Sequence, residues 1–274
     1  KAKHGSLKII ERHWKLLDSN IGKLDATSRM DLQNPEIKKL KNHIPARVDE
    51  NGSLVNAVID GRHINDLPAA ENPNSWLKQF DSVPLILYAT NEFLKTFGKE
   101  SLPQYLSNMI SRDLNVMVDY IINIYKCPCA DIWEQNPHML HSYDVGAAYA
   151  GLISAKNISS RLGIKINEEK IDKELYGANG VVSFMRNLFI KDGVLRKYRG
   201  EFAPDVSENP KVDSSAYFVF GLFDPDHLML DNSVYLNTID ALKSNHIFKS
   251  IDGKSVYEST FPKRYEGDRY FGGP

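Results

Sequence analysis

The feature that most constrains the fold of this chain is a series of amphipathic segments with helical periodicity and no regular alternation with strands. In "SLKIIERHWKLLDSNIGKL" and "LPQYLSNMISRDLNVMVDYIINIY", apolar residues recur at steps of three and four, the spacing of one helix face. Similar segments continue along the chain as far as "NSVYLNTIDALKSN". Because a parallel-sheet protein needs strands alternating with helices, this series argues against that class and predicts an all-α fold.

The periodicity also predicts helix ends and core faces. Ser6 is expected to cap the first helix, and Asp81 a helix that has Pro84 in its first turn and ends near Gly98. A helix is expected to break near Gly177–Gly180. Small residues are expected to allow close helix contact at Gly146, Ala147, Ala150 and Gly151. The predicted core faces are Leu7, Ile10, Trp14, Leu17 and Ile21; Leu85, Tyr88, Ala89, Phe93 and Leu94; and Ile110, Leu114, Met117, Ile121 and Tyr125.

Three short extended stretches interrupt the helices. They turn at Asn51–Gly52, Asp192–Gly193 and Asp252–Gly253, which are the dipeptides of type I′ hairpins. Helices joined by short loops suit a bundle, a solenoid or a closed ring of helical hairpins. No repeat of about 34–40 residues is evident, which weighs against the solenoid.

Composition excludes several partner classes. The 274 residues carry a formal net charge of -1, so nothing favours nucleic acid or an anionic membrane surface. No apolar run approaches the roughly 20 residues of a membrane span. Cys127 and Cys129 are too close for an unstrained bridge and are expected to be free thiols. Free thiols and the lack of a visible signal peptide favour a cytoplasmic location without determining it. The chain begins without Met, and we expect it to be a piece of a longer protein.

Four stretches with clustered polar and aromatic residues lie at predicted helix starts or in the loops before them. In a ring of helical hairpins such loops gather at one end, where they would form one pocket. The stretches are "NSWLKQFDS" (74–82), "ADIWEQ" (130–135), "EFAPDVSENPKVDSS" (201–215) and "KRYEGDRYFGG" (263–273), and the predicted lining is Trp76, Gln79, Asp81, Trp133, Glu134, Arg264 and Asp268.

This lining has the chemistry of carbohydrate binding, since aromatic rings stack on sugars and charged side chains bond their hydroxyls. Glu134 beside Trp133 suits a proton donor, because an apolar wall raises the pKa of a carboxyl group. Considered singly, each residue has an ordinary alternative. Glu134 and Asp81 could cap helices, as could Asp213, and tryptophans are more often core residues. His138 and His141 are too few for a metal site, and no cofactor is predicted.

"DIWEQ…HSYDVGAAYAGL" resembles the glucoamylase-type family, glycoside hydrolase family 15, in which the Glu after the Trp is the general acid. "RYEGDRYFGGP" is similar to that family's Arg-Tyr-x-x-Asp-x-Tyr loop. "WLKQFDSVPLILYA" and "VDSSAYFVFGLF" resemble two further segments, and all four occur in the family's order.

The resemblance implies the following roles. Glu134 would be the general acid and Trp133 would pack against the sugar. Gln135 stands where many members have a second acidic residue, so it bears on the leaving-group sugar. Arg264, Asp268 and Tyr270 would belong to the innermost sugar site, and Trp76, Gln79 and Asp81 would line or support the pocket.

The resemblance further implies an (α/α)6 barrel formed as a single domain over residues 1–274 and incomplete at both ends. It implies an inverting α-glucosidase that releases glucose from maltooligosaccharide or starch-like substrates. The family's Trp-x-Arg-Asp motif is expected before Lys1 and the general base after Pro274, so we expect the 274 residues alone to be inactive. A trehalase-type member, a non-catalytic sugar-binding or regulatory relative, and a helical scaffold without ligand remain alternatives. Linkage specificity, protein partners and oligomeric state are not indicated.

Overall fold

A computed structural model describes residues 2–28, 58–59, 62–63, 80–127, 129, 132, 139–199, 212–223, 232–243, 247–249 and 255–258. These residues are mostly helical and confirm the all-α class. The helices are α1 (Ala2–Ser19), α2 (Ile21–Ser28), α3 (Ser82–Phe97), α4 (Gln104–Ile124), α5 (Ser142–Leu162), α6 (Glu168–Tyr176), α7 (Val181–Phe189), α8 (Ser215–Leu222) and α9 (Asn232–Lys243), with a 3-10 turn at Lys99–Ser101.

Short strands form four antiparallel pairs among these residues. They are β1 (Val58–Ile59) with β2 (Arg62–His63), β3 (Leu140–His141) with β6 (Tyr198–Arg199), β4 (Ile190–Lys191) with β5 (Val194–Leu195), and β7 (Ile247–Lys249) with β8 (Ser255–Glu258). The predicted hairpin at Asp192–Gly193 is confirmed, and both residues have the positive φ of a type I′ turn. The pairing of β7 with β8 was also predicted. The pairs β1–β2 and β3–β6 were not, and the turns at Asn51–Gly52 and Asp252–Gly253 lie outside the described residues.

Helices α3, α5 and α8 are parallel neighbours. The phenol of Tyr143 at the start of α5 reaches Asp81 at the start of α3, and Gly151, further along α5, packs on Pro84. On the other side of α5, Tyr149 stacks on Phe223 at the end of α8 with ring centroids 4.1 Å apart. The three helices therefore begin at the same end, an arrangement that fits one sector of a ring of helical hairpins.

Helix α4 runs antiparallel to α5 behind this row. Ile121 lies against Gly151, whereas Asn115 donates a 3.1 Å hydrogen bond to the carbonyl of Lys165, beyond the end of α5. On the other flank, the indole of Trp14 in α1 donates a 2.9 Å hydrogen bond to the hydroxyl of Thr90 in α3. The core lies between these helices and includes the whole predicted face of α4.

Two details of the first predicted helix are wrong. Helix α1 begins at Ala2, so Ser6 lies inside it rather than capping it. The predicted single helix also breaks at Asn20. There the side chains of Ser19 and Asn20 both bond the carbonyl of Leu16 and compete with the helical backbone.

The predicted face of α3 is partly wrong. Phe93 and Leu94 are buried, but Ala89 is exposed, and Leu85 and Tyr88 are only half-buried. The helix packs against α1, α4 and α5 at once, so its buried surface is wider than one stripe. Its other buried positions are Val83, Pro84, Ile86, Leu87, Thr90 and Asn91.

Candidate functional site

The shared end of α3, α5 and α8 carries a cluster of buried polar side chains, which we name the helix-start cluster. Polar residues at such a depth need partners, because a buried unpaired polar group costs free energy. Its three aspartates occupy or adjoin the three helix starts, where the helix dipole favours negative charge. The cluster consists of Asp81, Tyr120, Cys129, His141, Tyr143, Asp144, Lys197 and Asp213.

Asp81 stands at the N-cap position of α3, as predicted, but its side chain does not cap the helix. Its backbone has helical dihedral angles, and the third helical residue is Pro84, which has no N–H to donate. The carboxylate instead accepts a 3.1 Å hydrogen bond from the phenol of Tyr143. Asp81 thereby links two helix starts rather than closing one.

Asp144 lies in the first turn of α5 and accepts a hydrogen bond from the thiol of Cys129 at 3.1 Å. Burial raises the pKa of the Cys129 thiol, and the charge of Asp144 raises it further. Burial likewise raises the pKa of Tyr120, to which the neighbouring Cys129, Cys127, Asp81 and Asp144 contribute. Cys129 is therefore a protonated donor, and the prediction that both cysteines are free is confirmed.

Lys197 and Asp213 form an ion pair of 2.9 Å whose side chains are 1% and 0% exposed. The other oxygen of Asp213 accepts a 2.6 Å hydrogen bond from the backbone N–H of Ser215, the first residue of α8, whereas the N-cap position itself is held by Ser214. The carbonyl of Lys197 accepts hydrogen bonds from both the N–H and the hydroxyl of Ser142. Lys197 therefore connects the starts of α5 and α8.

The loop that holds "ADIWEQ" is closed at its base by described residues. The N–H of Cys129 donates a 3.1 Å hydrogen bond to the carbonyl of Met139, so the two residues that flank 130–138 lie side by side. Leu140 and His141 then pair with β6, and α5 begins at Ser142. This closure puts both ends of the loop beside the helix-start cluster.

Most of the predicted site residues lie outside the described residues. Asp81 is described, and it is 8% exposed at the shared helix-start end. Three of the four predicted loops lead into α3, α5 and α8, whose starts meet there, and the fourth, 263–273, is not described. The undescribed site residues are Trp76, Gln79, Trp133, Glu134, Gln135, Arg264, Asp268 and Tyr270.

The sequence patterns did not indicate Tyr143, Asp144 or Lys197 as members of this end. The position of Asp144 could have been recognised in the sequence, because acidic residues are favoured in the first turn of a helix. No sequence pattern indicated that Lys197 is buried, because lysines are ordinarily exposed.

The cluster is suited to holding structure rather than to transferring protons. Each aspartate is engaged by a donor: Asp81 by Tyr143, Asp144 by Cys129, and Asp213 by Lys197. Among the described residues, no group of three His, Cys, Asp or Glu side chains is placed to hold a metal ion. None of the described helices is both long and apolar enough to cross a membrane.

Solved structures similar to this chain are named as glycosidases. A wild-type glycosidase and a glycosidase variant in complex with glucose each match with a TM-score of 0.57 and 20% identity, over 88% of this chain and 55% of theirs. A further glycosidase variant matches with the same TM-score and coverage at 19% identity. No protein-family model and no curated protein matches. The likeness shows a shared fold, and this chain spans about half the length of the structures it matches.

Proposed function

We propose that this chain is the helical core of a glycoside hydrolase. The observation that carries the proposal is the meeting of the starts of α3, α5 and α8 at one end. Three stretches rich in polar and aromatic residues precede these starts along the chain. Carbohydrate-type side chains are concentrated in those loops, and the fold resembles that of proteins named as glycosidases. One of those glycosidases was solved with glucose, which supports a sugar as the ligand.

The finer proposal is an inverting α-glucosidase of the glucoamylase type that releases glucose from maltooligosaccharides or starch-like chains. Glu134 is the proton donor to the leaving oxygen, and Trp133 is the apolar neighbour that keeps the acid protonated. Gln135 contacts the leaving-group sugar. The order of the four sequence segments supports these assignments.

The remaining site residues recognise the innermost sugar. We propose Arg264, Asp268 and Tyr270 for direct contacts, and Trp76 and Gln79 for the pocket wall. Asp81 supports the wall from its buried position, where Tyr143 holds its carboxylate. The base carboxylate is proposed to lie outside these 274 residues, about 6.5–9.5 Å from the acid so that a water molecule fits between them.

The helix-start cluster contributes by fixing the acid loop. The backbone N–H of Cys129 donates a hydrogen bond to the carbonyl of Met139, and its thiol donates one to the carboxylate of Asp144. These two bonds fix the base of the loop to the first turn of α5. The Lys197–Asp213 pair then ties that turn to α8. Rigid support of this kind matters because a small displacement of a catalytic group lowers the rate steeply.

The test is Glu134→Gln in the full-length protein, assayed on maltose, maltotriose and trehalose. Loss of the general acid is expected to lower kcat by about 10²–10⁴-fold with the melting temperature unchanged. The matched control is Glu169→Gln on the exposed face of α6, which should retain full activity. An unchanged kcat in Glu134→Gln would refute the assignment. If the glucose from the non-reducing end of maltose is released as the α-anomer rather than the β-anomer, inversion is refuted.

A further inference from the structure

A cavity of about 280 Å³ lies between α3, α5 and the end of α8, away from the helix-start cluster. Asn91 on α3 and Ser154 on α5 are among its lining residues. Asn91 lies ten residues beyond Asp81, which is about 15 Å along the helix. The cavity is therefore distinct from the end to which the proposed catalytic residues belong.

Asn91 is 6% exposed, yet the oxygen of its side-chain amide, Oδ1, has no hydrogen-bond partner among the described residues. Its amide nitrogen donates only a long 3.4 Å bond, to the carboxylate of Glu92. A buried acceptor without a donor lowers the stability of the fold, because its bond to water is lost and not replaced. Because Asn91 lines the cavity, a ligand hydroxyl there would supply the absent donor.

The rest of the lining offers both donors and acceptors. Ser154 is 2% exposed and presents a hydroxyl group, Glu92 brings a carboxylate, and Arg161 brings a guanidinium with several N–H donors. Tyr88 and Tyr149 also line the cavity, and one face of the Tyr149 ring is covered by Phe223. A ligand that fits this lining must donate hydrogen bonds to some of its groups and accept hydrogen bonds from others.

These features distinguish between two ligand classes. An inorganic anion offers mainly acceptors, so it would leave the Asn91 oxygen unpaired, even though Lys95 and Arg161 beside Glu92 would attract its charge. A polyol hydroxyl both donates and accepts, and the apolar face of a sugar ring suits the tyrosines. The volume is below the roughly 300–1,000 Å³ of sites for drug-sized ligands, which fits one monosaccharide.

We propose that the cavity between α3 and α5 is a binding site for a small polyhydroxylated ligand of monosaccharide size, separate from the proposed catalytic pocket. The site requires no hydrolytic activity of this chain, so it stands or falls independently of the proposed function.

The experiment measures binding of D-glucose to the 274-residue chain by calorimetry. We expect a weak site with a dissociation constant of about 1–10 mM, and at least a tenfold loss of affinity at that site in Asn91→Leu. Because that change also removes an unpaired buried acceptor, its free energy of unfolding in urea should be unchanged or higher. Loss of binding in this variant would then not reflect loss of the fold. Ser154→Ala should weaken binding by several-fold, and Asn187→Leu at an exposed position of α7 is the matched control.

A parallel titration of Asp81→Asn locates the site. Retained glucose affinity in Asp81→Asn together with loss in Asn91→Leu supports the cavity, whatever the outcome for Glu134. Loss in Asp81→Asn with full affinity in Asn91→Leu would overturn the proposal and place glucose at the helix-start end. If no glucose binding is detected up to about 100 mM, the dissociation constant is well above the expected value of about 1–10 mM, and the proposal is also overturned. So would binding of inorganic phosphate without glucose.

Discussion

The phenol of Tyr143 donates a hydrogen bond of 3.1 Å to Oδ2 of Asp81, and both side chains are buried. The bond joins the first turn of α5 to the start of α3, two parallel neighbours that are remote in sequence. It takes the place of the cap expected of Asp81, and it is one of three donor–carboxylate links that hold the helix starts together.

Tyr143→Phe tests this link. The ring keeps its volume while the carboxylate loses a donor, so the free energy of unfolding should fall by about 1–3 kcal/mol. Urea denaturation measures the change. Tyr217→Phe, on an exposed position of α8, is the control and should be neutral. Equal stability of the two variants would mean that the Tyr143–Asp81 bond contributes nothing net.

The buried ion pair predicts a non-additive result. Lys197→Met leaves Asp213 charged and buried, which should destabilise the protein by about 3–5 kcal/mol. The double variant Lys197→Met with Asp213→Asn removes both charges and should recover a large part of that loss. As a reference, Lys15→Met breaks an exposed pair with Glu11 and should cost about 1 kcal/mol or less. Additive effects in the double-mutant cycle would contradict the buried pair.

Two glycines on α5 make a matched comparison. A Cβ at Gly151 would lie 2.5 Å from Cβ of Pro84 and 2.7 Å from its Cα, so α3 and α5 would have to move apart. We expect Gly151→Ala to destabilise the protein by about 1–3 kcal/mol. At Gly146 the nearest atom is 3.6 Å away, and Gly146→Ala should be neutral or stabilise the helix by up to about 1 kcal/mol. Thermal unfolding of both variants tests this predicted order of stability. A neutral effect of Gly151→Ala would refute it.

The raised pKa of Cys129 predicts a dependence of stability on pH. The unfolded thiol ionises from about pH 8.5 upward, whereas the buried thiol stays protonated. Its contribution to stability is therefore complete below about pH 8.5 and is lost as the pH rises towards the folded pKa, by at most about 1.4 kcal/mol per pH unit.

Cys129→Ser keeps a donor for Asp144 but does not titrate in this range, so its unfolding free energy should fall less between about pH 8.5 and 10. Urea titrations at each pH measure the slope. Cys127→Ser, at a half-exposed position, should keep the slope of the unmodified protein. Identical slopes in Cys129→Ser and the unmodified protein would exclude Cys129 as the source.

Local patterns predicted several elements well. The face of α4 from Ile110 to Tyr125 is buried as expected, and Gly177–Gly180 separates α6 from α7. Both depend on neighbours along the chain, namely side chains at helical spacing and glycines that stop a helix. The face of α3 was partly mispredicted because Thr90, a polar residue, receives the indole N–H of Trp14 and becomes a core position.

The candidate site was predictable as a set of loops but not as a set of contacts. Nothing near Lys197 in the sequence indicates that its ammonium group is buried against Asp213, and nothing near Leu140 indicates that it pairs with Arg199. Such contacts join residues far apart in the chain, and their free energy appears only when the helices pack.

The sequence by itself determined the helical class, the glycine-bearing turn at Asp192–Gly193 and the free state of the two cysteines, because periodicity, backbone freedom and residue spacing are local properties. Only the tertiary structure decided that α3, α5 and α8 start together, that Asp81 links helices instead of capping one, and that Asn91 faces a cavity. Those outcomes depend on which buried donors and acceptors meet, and that is set by the packing of the whole core.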